Sequence, residues 1–296
     1  MKILNYGSMN IDHVYSTDHS VLPGETIIAS SLALFCGGKG LNQSVAVAKA
    51  GGEIYHAGLI GEDGGMLVDQ LVSAGVQTKY VARRTGPSCH TIIQVDTKGQ
   101  NSIIVYNTPG LQFNENDIDQ ILQDFETGDL VMMQNELFNS ALMMKKAAEK
   151  GLTVIFNPSP MDQNIMNYPL NQIDWLILNE IEGASMSGET DPETIISVLT
   201  HRFPKMNIML TLGEKGSVCY HEGQLYHQSA YPVKAVDTTA AGDTFTGFFV
   251  TGLSQGKPVA DIIRRASIAS SIAVSRKGAA GSIPTTTEVD VAEKNL

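Results

Sequence analysis

Apolar residues follow two alternating rhythms along the chain. Short runs rich in aliphatic and β-branched residues at 3–6, 54–60, 130–134, 153–156, 175–178 and 208–211 predict buried strands. Between them, apolar positions recur at helical spacing over 66–74, 115–125, 140–150 and 192–201, and again over 261–275. Another helix, rich in Ala and Val, follows a glycine-rich turn and stops at Gly51-Gly52. Strands alternating with helices predict an α/β fold, a doubly wound and mostly parallel sheet covered on both faces. Two stretches break the rhythm. One is 14–35, which has no helical pattern and carries Pro23-Gly24; the other is a hairpin of 91–95 with 102–106 around Lys98-Gly99-Gln100-Asn101. No repeat or linker composition appears, so 1–296 reads as one domain with small extra strands.

The pattern tightens near the C-terminal end. Residues 231–236 read as the tail of a strand that runs into Asp237-Thr238-Thr239-Ala240-Ala241-Gly242-Asp243-Thr244-Phe245. A helix opens there, with Phe245, Phe248, Phe249 and Leu253 at helical spacing. Small residues at a helix start leave unpaired backbone N–H groups open to a ligand, and the helix dipole favours negative charge there. Asp243 in that first turn would repel a stored phosphate. It fits a base that takes a proton from a hydroxyl attacking phosphate. Plain helix capping by Asp237, Thr238 and Asp243 is the alternative, and this stretch alone leaves it open.

Composition narrows the partners. At 43% hydrophobic, 296 residues can bury a large core. A formal net charge of −11 argues against nucleic acid or an acidic membrane, though a helix terminus and a lysine can still hold an anionic substrate locally. Cys36, Cys89 and Cys219 form no CxxC pair, which suggests reduced thiols rather than disulfides or a zinc site. There is no signal-peptide pattern and no apolar run long enough to span a bilayer; the expected location is cytoplasmic.

Polar residues gather where the predicted strands end, and strand ends are where α/β sheets bind ligands. Asn10 and Asp12 follow the first strand, with an Asx turn as the local alternative. Asn135-Glu136 and Asn157 follow two others. Asn179 and Glu182 fit a one-carboxylate magnesium environment or, equally, a capping box. Thr211, Gly213 and Gly216 close a further strand, as a nucleotide-side turn or a plain β-turn. Gly37, Gly38 and Gly40 allow close backbone approach to a ligand, with Lys39 and Asn42 as donors. Tight helix packing explains the small residues there but not Lys39 or Asn42. Neither GxxxxGK[ST] nor GxGxxG after the first strand occurs, which removes a P-loop and weakens a nicotinamide dehydrogenase.

Gly37-Gly38-Lys39-Gly40-Leu41-Asn42-Gln43 and Asp237-Thr238-Thr239-Ala240-Ala241-Gly242-Asp243-Thr244-Phe245 stand in this order, about two hundred residues apart. Together they resemble the two signatures of the PfkB (ribokinase-like) carbohydrate kinases, and the likeness covers essentially the whole chain. The resemblance implies a small β lid from about 12–35 and 89–107, and phosphoryl transfer from ATP to a sugar with Mg²⁺. By position, Asp243 is the base, and Ala240, Ala241 and Gly242 are the anion hole. Asn179 and Glu182 match an NxxE motif tied to magnesium and phosphate, with Glu182 acting indirectly. Thr211, Gly213 and Gly216 match the nucleotide side. Asn10-Ile11-Asp12-His13, Gly38 to Asn42 and Glu136 are similar to the family's ribose-phosphorylating members. That implies a sugar held by Asn10, Asp12, Gly38, Lys39, Asn42, Glu136 and Asp243. Those members also bind a potassium-type ion. Its ligands by position are Asp237, Thr239, Ala273, Arg276, Gly278 and Ser282, largely through carbonyls. A homodimer through the lid is implied as well. Other acceptors (deoxyribose, a fructose-type sugar, an adenosine-type nucleoside) and a sugar sensor without turnover are the competing readings.

Overall fold

The strands are apolar on both sides because helices cover both sides. The computed structural model describes residues 1–295 and contains two sheets. The larger comprises β1 (Ile3–Tyr6), β4 (Ile54–Ile60), β5 (Gln77–Arg83), β8 (Leu130–Gln134), β9 (Thr153–Asn157), β10 (Trp175–Asn179), β11 (Asn207–Thr211), β12 (Ser217–His221) and β13 (Gln224–Gln228). Their order is β13-β12-β11-β10-β9-β8-β1-β4-β5, parallel from β11 to β5 with an antiparallel edge at β12 and β13. The smaller comprises β2 (Asn10–Ser16), β3 (Ser31–Gly37), β6 (His90–Val95) and β7 (Asn101–Tyr106), in the order β3-β2-β6-β7.

Alternation along each strand divides the core in two. Ile3, Ile54, Met132, Ile155, Ile177 and Met209 face helices α1 (Lys39–Lys49), α2 (Gly65–Ser73), α7 (Ala241–Ser254), α8 (Val259–Val274) and α9 (Thr286–Lys294). Leu4, Val131, Val154, Leu176 and Ile208 face α3 (Glu115–Leu122), α4 (Ser140–Glu149), α5 (Glu180–Ser187) and α6 (Pro192–Arg202). A period of two therefore serves both layers. Phe249 of α7 is fully buried and meets Trp175 edge-on at 5.2 Å, a contact that holds α7 against the sheet. α1 and α7 also approach closely: a Cβ on Gly247 would come within 2.3 Å of Ala46.

Several expectations need correction. Residues 231–236 form no strand: Val233 and Val236 are exposed, and the amide of Val236 donates to the Val274 carbonyl at 2.8 Å instead of to a ladder. β-branched residues favour extended chain, but a strand needs a partner. Asn10 and Asp12 do not form a turn leaving β1; they belong to β2, which starts after only Gly7, Ser8 and Met9. The strands β5, β12 and β13 and the helix α9 were not foreseen. Among the described residues no helix is long and apolar enough to cross a membrane.

Candidate active site

α7 starts abruptly. Its N-cap, Ala240, has φ +60°, and no side chain caps the helix, so Asp237, Thr238 and Asp243 are not its caps. Asp237 serves a different joint: Oδ1 accepts from the Thr239 amide at 2.9 Å and Oδ2 from the Gly278 amide at 2.9 Å. The Ala241 amide is used in a turn to the Thr238 carbonyl at 3.2 Å. Among the described residues the amides of Gly242 and Asp243 have no protein acceptor, as expected for the first turn of a helix. A Cβ on Gly242 would meet no protein atom within 4 Å, so packing does not demand glycine there and the helix entrance stays open. An exposed helix start with free amides is a receptor for phosphate.

Asp243 sits in that first turn and is held from α1. Asn42 Nδ2 donates to its Oδ2 at 3.0 Å, and Gln43 Nε2 donates to its Oδ1 at 3.0 Å. Burial raises its carboxyl to about 6; the two amides and Lys39 pull it down, and Glu136 pushes it up. A carboxylate poised there is ionised near neutrality yet basic enough to accept a proton in a transition state. Gln43 was not among the residues singled out from sequence.

A second cluster lies at the junction of β2 and α1. Lys39 Nζ stands 3.7 Å from Glu136 Oε1, and the Lys39 amide donates to Glu136 Oε2 at 3.1 Å. The Ser8 hydroxyl donates to the same Oε2. Asp12 accepts from the Thr91 hydroxyl at 2.6 Å, across the β2–β6 pairing, and burial raises its carboxyl, with Glu136 adding to the rise. The turn works because Gly40 packs against Gly7: a Cβ on Gly40 would lie 2.4 Å from the Gly7 carbonyl carbon. Gly38, at φ +98°, lies against Ser8, and Asn10 is buried at the start of β2. Ser8 and Thr91 were missed in sequence because nothing local marks a hydroxyl that orients a distant carboxylate.

A cleft of 270 Å³ opens along the carboxyl ends of β9, β10 and β11 towards α7. It brings together Lys39, Asn179, Glu182, Thr211, Ala240, Ala241, Gly242 and Asp243, with Asn157, Ser159, Thr238 and Thr246. The capping box is real: Asn179 Oδ1 accepts from the Ile181 and Glu182 amides, and Glu182 Oε2 accepts from the Asn179 amide at 3.0 Å. Capping and cleft-lining coexist in Glu182, whose Oε1 has no protein partner among the described residues. Gly213 and Gly216 do not line this cleft. They shape the β11–β12 turn, where Gly216 (φ +98°) leaves room for the Gln228 carbonyl. Ser282 is buried and bonds back to the Ala279 carbonyl; Arg276 sends its guanidinium to Glu288 at 2.7 Å. Ala273 is buried at the end of α8, next to the Val274 carbonyl that Val236 and Asp237 share.

A helix start built for an anion, a carboxylate tuned beside it and a cleft along the strand ends coincide with one known pattern. The model of the pfkB family carbohydrate kinases matches residues 1–286. The chain belongs to that family. It is accordingly a carbohydrate kinase, a phosphotransferase, and its fold is the ribokinase-like α/β fold with a second small sheet. It is 33% identical over 294 residues to a ribokinase of Haemophilus influenzae, covering 95% of each chain. It is 29% identical over 294 residues to a deoxyribokinase of Salmonella typhi, covering 96% of each. Among solved structures, the Arabidopsis thaliana ribokinase complexed with ribose and ATP has a TM-score of 0.87 at 31% identity, covering 98% of this chain and 97% of that one.

Proposed function

We propose that the chain transfers the γ-phosphoryl group of ATP to the O5 hydroxyl of ribose, giving ribose 5-phosphate and ADP. The observation that carries this reading is Asp243, a carboxylate lifted to about 6 and held by Asn42 and Gln43 in the open first turn of α7. Asp243 takes the O5 proton as that oxygen forms its bond to the γ-phosphorus in line, and the bond from phosphorus to the β–γ bridging oxygen breaks. ADP leaves with the electron pair of that bond, and the proton passes from Asp243 to solvent. The free Gly242 and Asp243 amides, with that of Ala240 in the same turn, would face the charge that grows on the transferring oxygens, and Ala241 would join them on leaving its turn to the Thr238 carbonyl. Lys39, Glu136 and Asp12, with Asn10, Gly38 and Asn42, would fix the sugar hydroxyls. Thr211, Asn179 and the Gly213–Gly216 turn would flank the nucleotide.

Magnesium would be held through Glu182, which lines the cleft and keeps one carboxylate oxygen free for a metal-bound water while the other caps α5. When bound, the ion would offset charge on the phosphate oxygens. A monovalent cation beside the Asp237–Gly278 joint would be held by Asp237 and by carbonyls of Thr239, Ala273, Arg276, Gly278 and Ser282. One kinase unit over 1–296, with a lid made from the small sheet, and a cytoplasmic location complete the reading. A homodimer through that sheet is supported by its exposed apolar surface, with Ile103, Ile104 and Val105 of β7 all more than half exposed on an unpaired edge strand.

The likeness to a deoxyribokinase favours one second reading, deoxyribose as acceptor. The test is ADP release from ATP and Mg²⁺ with ribose, deoxyribose, fructose and adenosine in parallel, with and without K⁺. Ribose-dependent turnover raised by K⁺ is expected. Turnover on another acceptor alone overturns the substrate assignment, and binding without turnover leaves the sensor reading.

A further inference from the structure

Five buried polar side chains run beneath α1, across the middle of the large sheet, where the neighbouring positions Ile3, Ile54 and Met132 are core residues. They are Gln134 of β8, Asn5 of β1, His56 of β4, and Gln43 and Ser44 of α1, each no more than 1% exposed. Their hydrogen bonds have only one consistent direction. Asp243 is an acceptor, so Gln43 must present Nε2 to it, at 3.0 Å. Gln43 Oε1 then accepts from Gln134 Nε2 at 2.7 Å. The same Gln134 nitrogen donates to Asn5 Oδ1 at 3.1 Å, which turns Asn5 Nδ2 towards the Gly40 carbonyl (2.7 Å) and Ser44 Oγ (2.8 Å). Ser44, having accepted, has its own proton for His56 Nδ1 at 2.8 Å. Burial holds that histidine neutral, pushed down to about 3.

Stability alone does not account for this row. Gln134 Oε1 is buried without a partner, a cost that an apolar residue would avoid. Gly7 is confined by the row too: a Cβ there would lie 2.8 Å from Gln134 Oε1 and 2.9 Å from Asn5 Oδ1. What the row achieves is orientation. A glutamine amide alone can turn over, and a turned Gln43 would aim its oxygen at the Asp243 carboxylate. Gln134 prevents that by filling Gln43 Oε1 with a donor.

We infer that Gln134 is a positioning residue for the catalytic base: anchored through Asn5, Ser44 and His56, it locks Gln43 in the orientation that donates to Asp243. It touches neither Asp243 nor the cleft. The inference rests on the kinase reading for its catalytic meaning, but its structural content can be tested without turnover. Gln134→Met keeps the length of the side chain and removes the donor. The measurement is the titration of the Asp243 carboxyl carbon by NMR, its signal assigned by its absence in Asp243→Asn. The charged groups bearing on Asp243 are Lys39 of α1 and Glu136 after β8, and both are untouched by the variant.

Because the Gln43 amide favours the carboxylate form, loosening it raises the Asp243 midpoint, by about half a pH unit or more. The acid limb of kcat should move up with it, with kcat falling about tenfold and the sugar KM changing less than about twofold. A Gln134 that merely fills the core would lower Tm while leaving the Asp243 midpoint and the kcat of the folded enzyme unchanged. That result overturns the inference. If the variant does not fold, the wild type decides. Side-chain amide signals of Gln43 and Gln134 must both follow the Asp243 midpoint, and a Gln134 signal that ignores it overturns the relay. Absence of acceptor-dependent ADP release by the wild type would instead sink the kinase reading, and the NMR titration would still judge the relay.

Discussion

Replacing Asp243 with asparagine should make the protein more stable and almost inactive. Burial lifts the carboxyl from 3.8 to about 6, so carrying it ionised costs the folded state about 3 kcal/mol relative to an exposed aspartate. Asparagine removes that cost but can accept only one of the two amide donations, which returns about 1 kcal/mol. The net gain is about 2 kcal/mol at pH 7.5, or roughly 3 °C in Tm for a chain of this size. The sign follows from linkage. A carboxyl raised in the folded state penalises folding fully above pH 6, progressively less as pH falls towards 3.8, and not at all below that. The stability advantage of the variant should therefore shrink as pH falls and be gone below about pH 4. Activity moves the other way. Loss of a positioned base lowers kcat by about 10²–10⁴, which is about 3–5.5 kcal/mol of barrier. Wild-type kcat should fall tenfold per pH unit below about 6, and the residual rate of the variant should not. Steady-state ADP release and calorimetry across this pH range give both numbers. Turnover within tenfold of wild type would remove Asp243 from the base role. An unchanged Tm at pH 7.5 would refute the buried-charge argument.

Other perturbations separate the parts of the site. Gly242→Val places a branched side chain at the α7 entrance, where no protein atom lies within 4 Å; kcat should drop about 10²–10³ with Tm nearly unchanged in parallel melts. Glu136→Gln loses the charge held by Ser8 and Lys39, and calorimetric titration without ATP should find ribose bound about 10–100 times more weakly. Ile104→Lys on the exposed face of β7 should halve the sedimenting mass, and an unchanged mass would count against pairing through the small sheet.

What sequence reveals here follows burial and locality. β8 was readable to the residue because both faces are buried and the run is continuously apolar. β5 was not, since Gln77–Arg83 is an edge strand with most side chains half exposed. The β12–β13 hairpin mixes Cys219 and Val218 with His221, Gln224 and Gln228, so no continuous apolar run or clean alternation marks it. Residues 231–236 carried strand composition with nothing to pair against. At the site, Asp243, Gly242, Lys39 and Asn179 stood out because their chemistry is odd for their neighbours. Gln43 and Gln134 did not, because one sits in a helix start already explained and the other ends an apolar strand. The signal that could have found them is an amide at a position whose neighbours along the strand are core residues.

The central claim is that this chain moves a phosphoryl group onto the O5 oxygen of ribose through the α7 entrance. The most direct measurement is phosphorus NMR of the product formed from ATP, Mg²⁺ and ribose. A phosphomonoester coupled to the two protons on C5, absent with Asp243→Asn, is the predicted result. Inorganic phosphate alone, or an ester at another carbon, would contradict it.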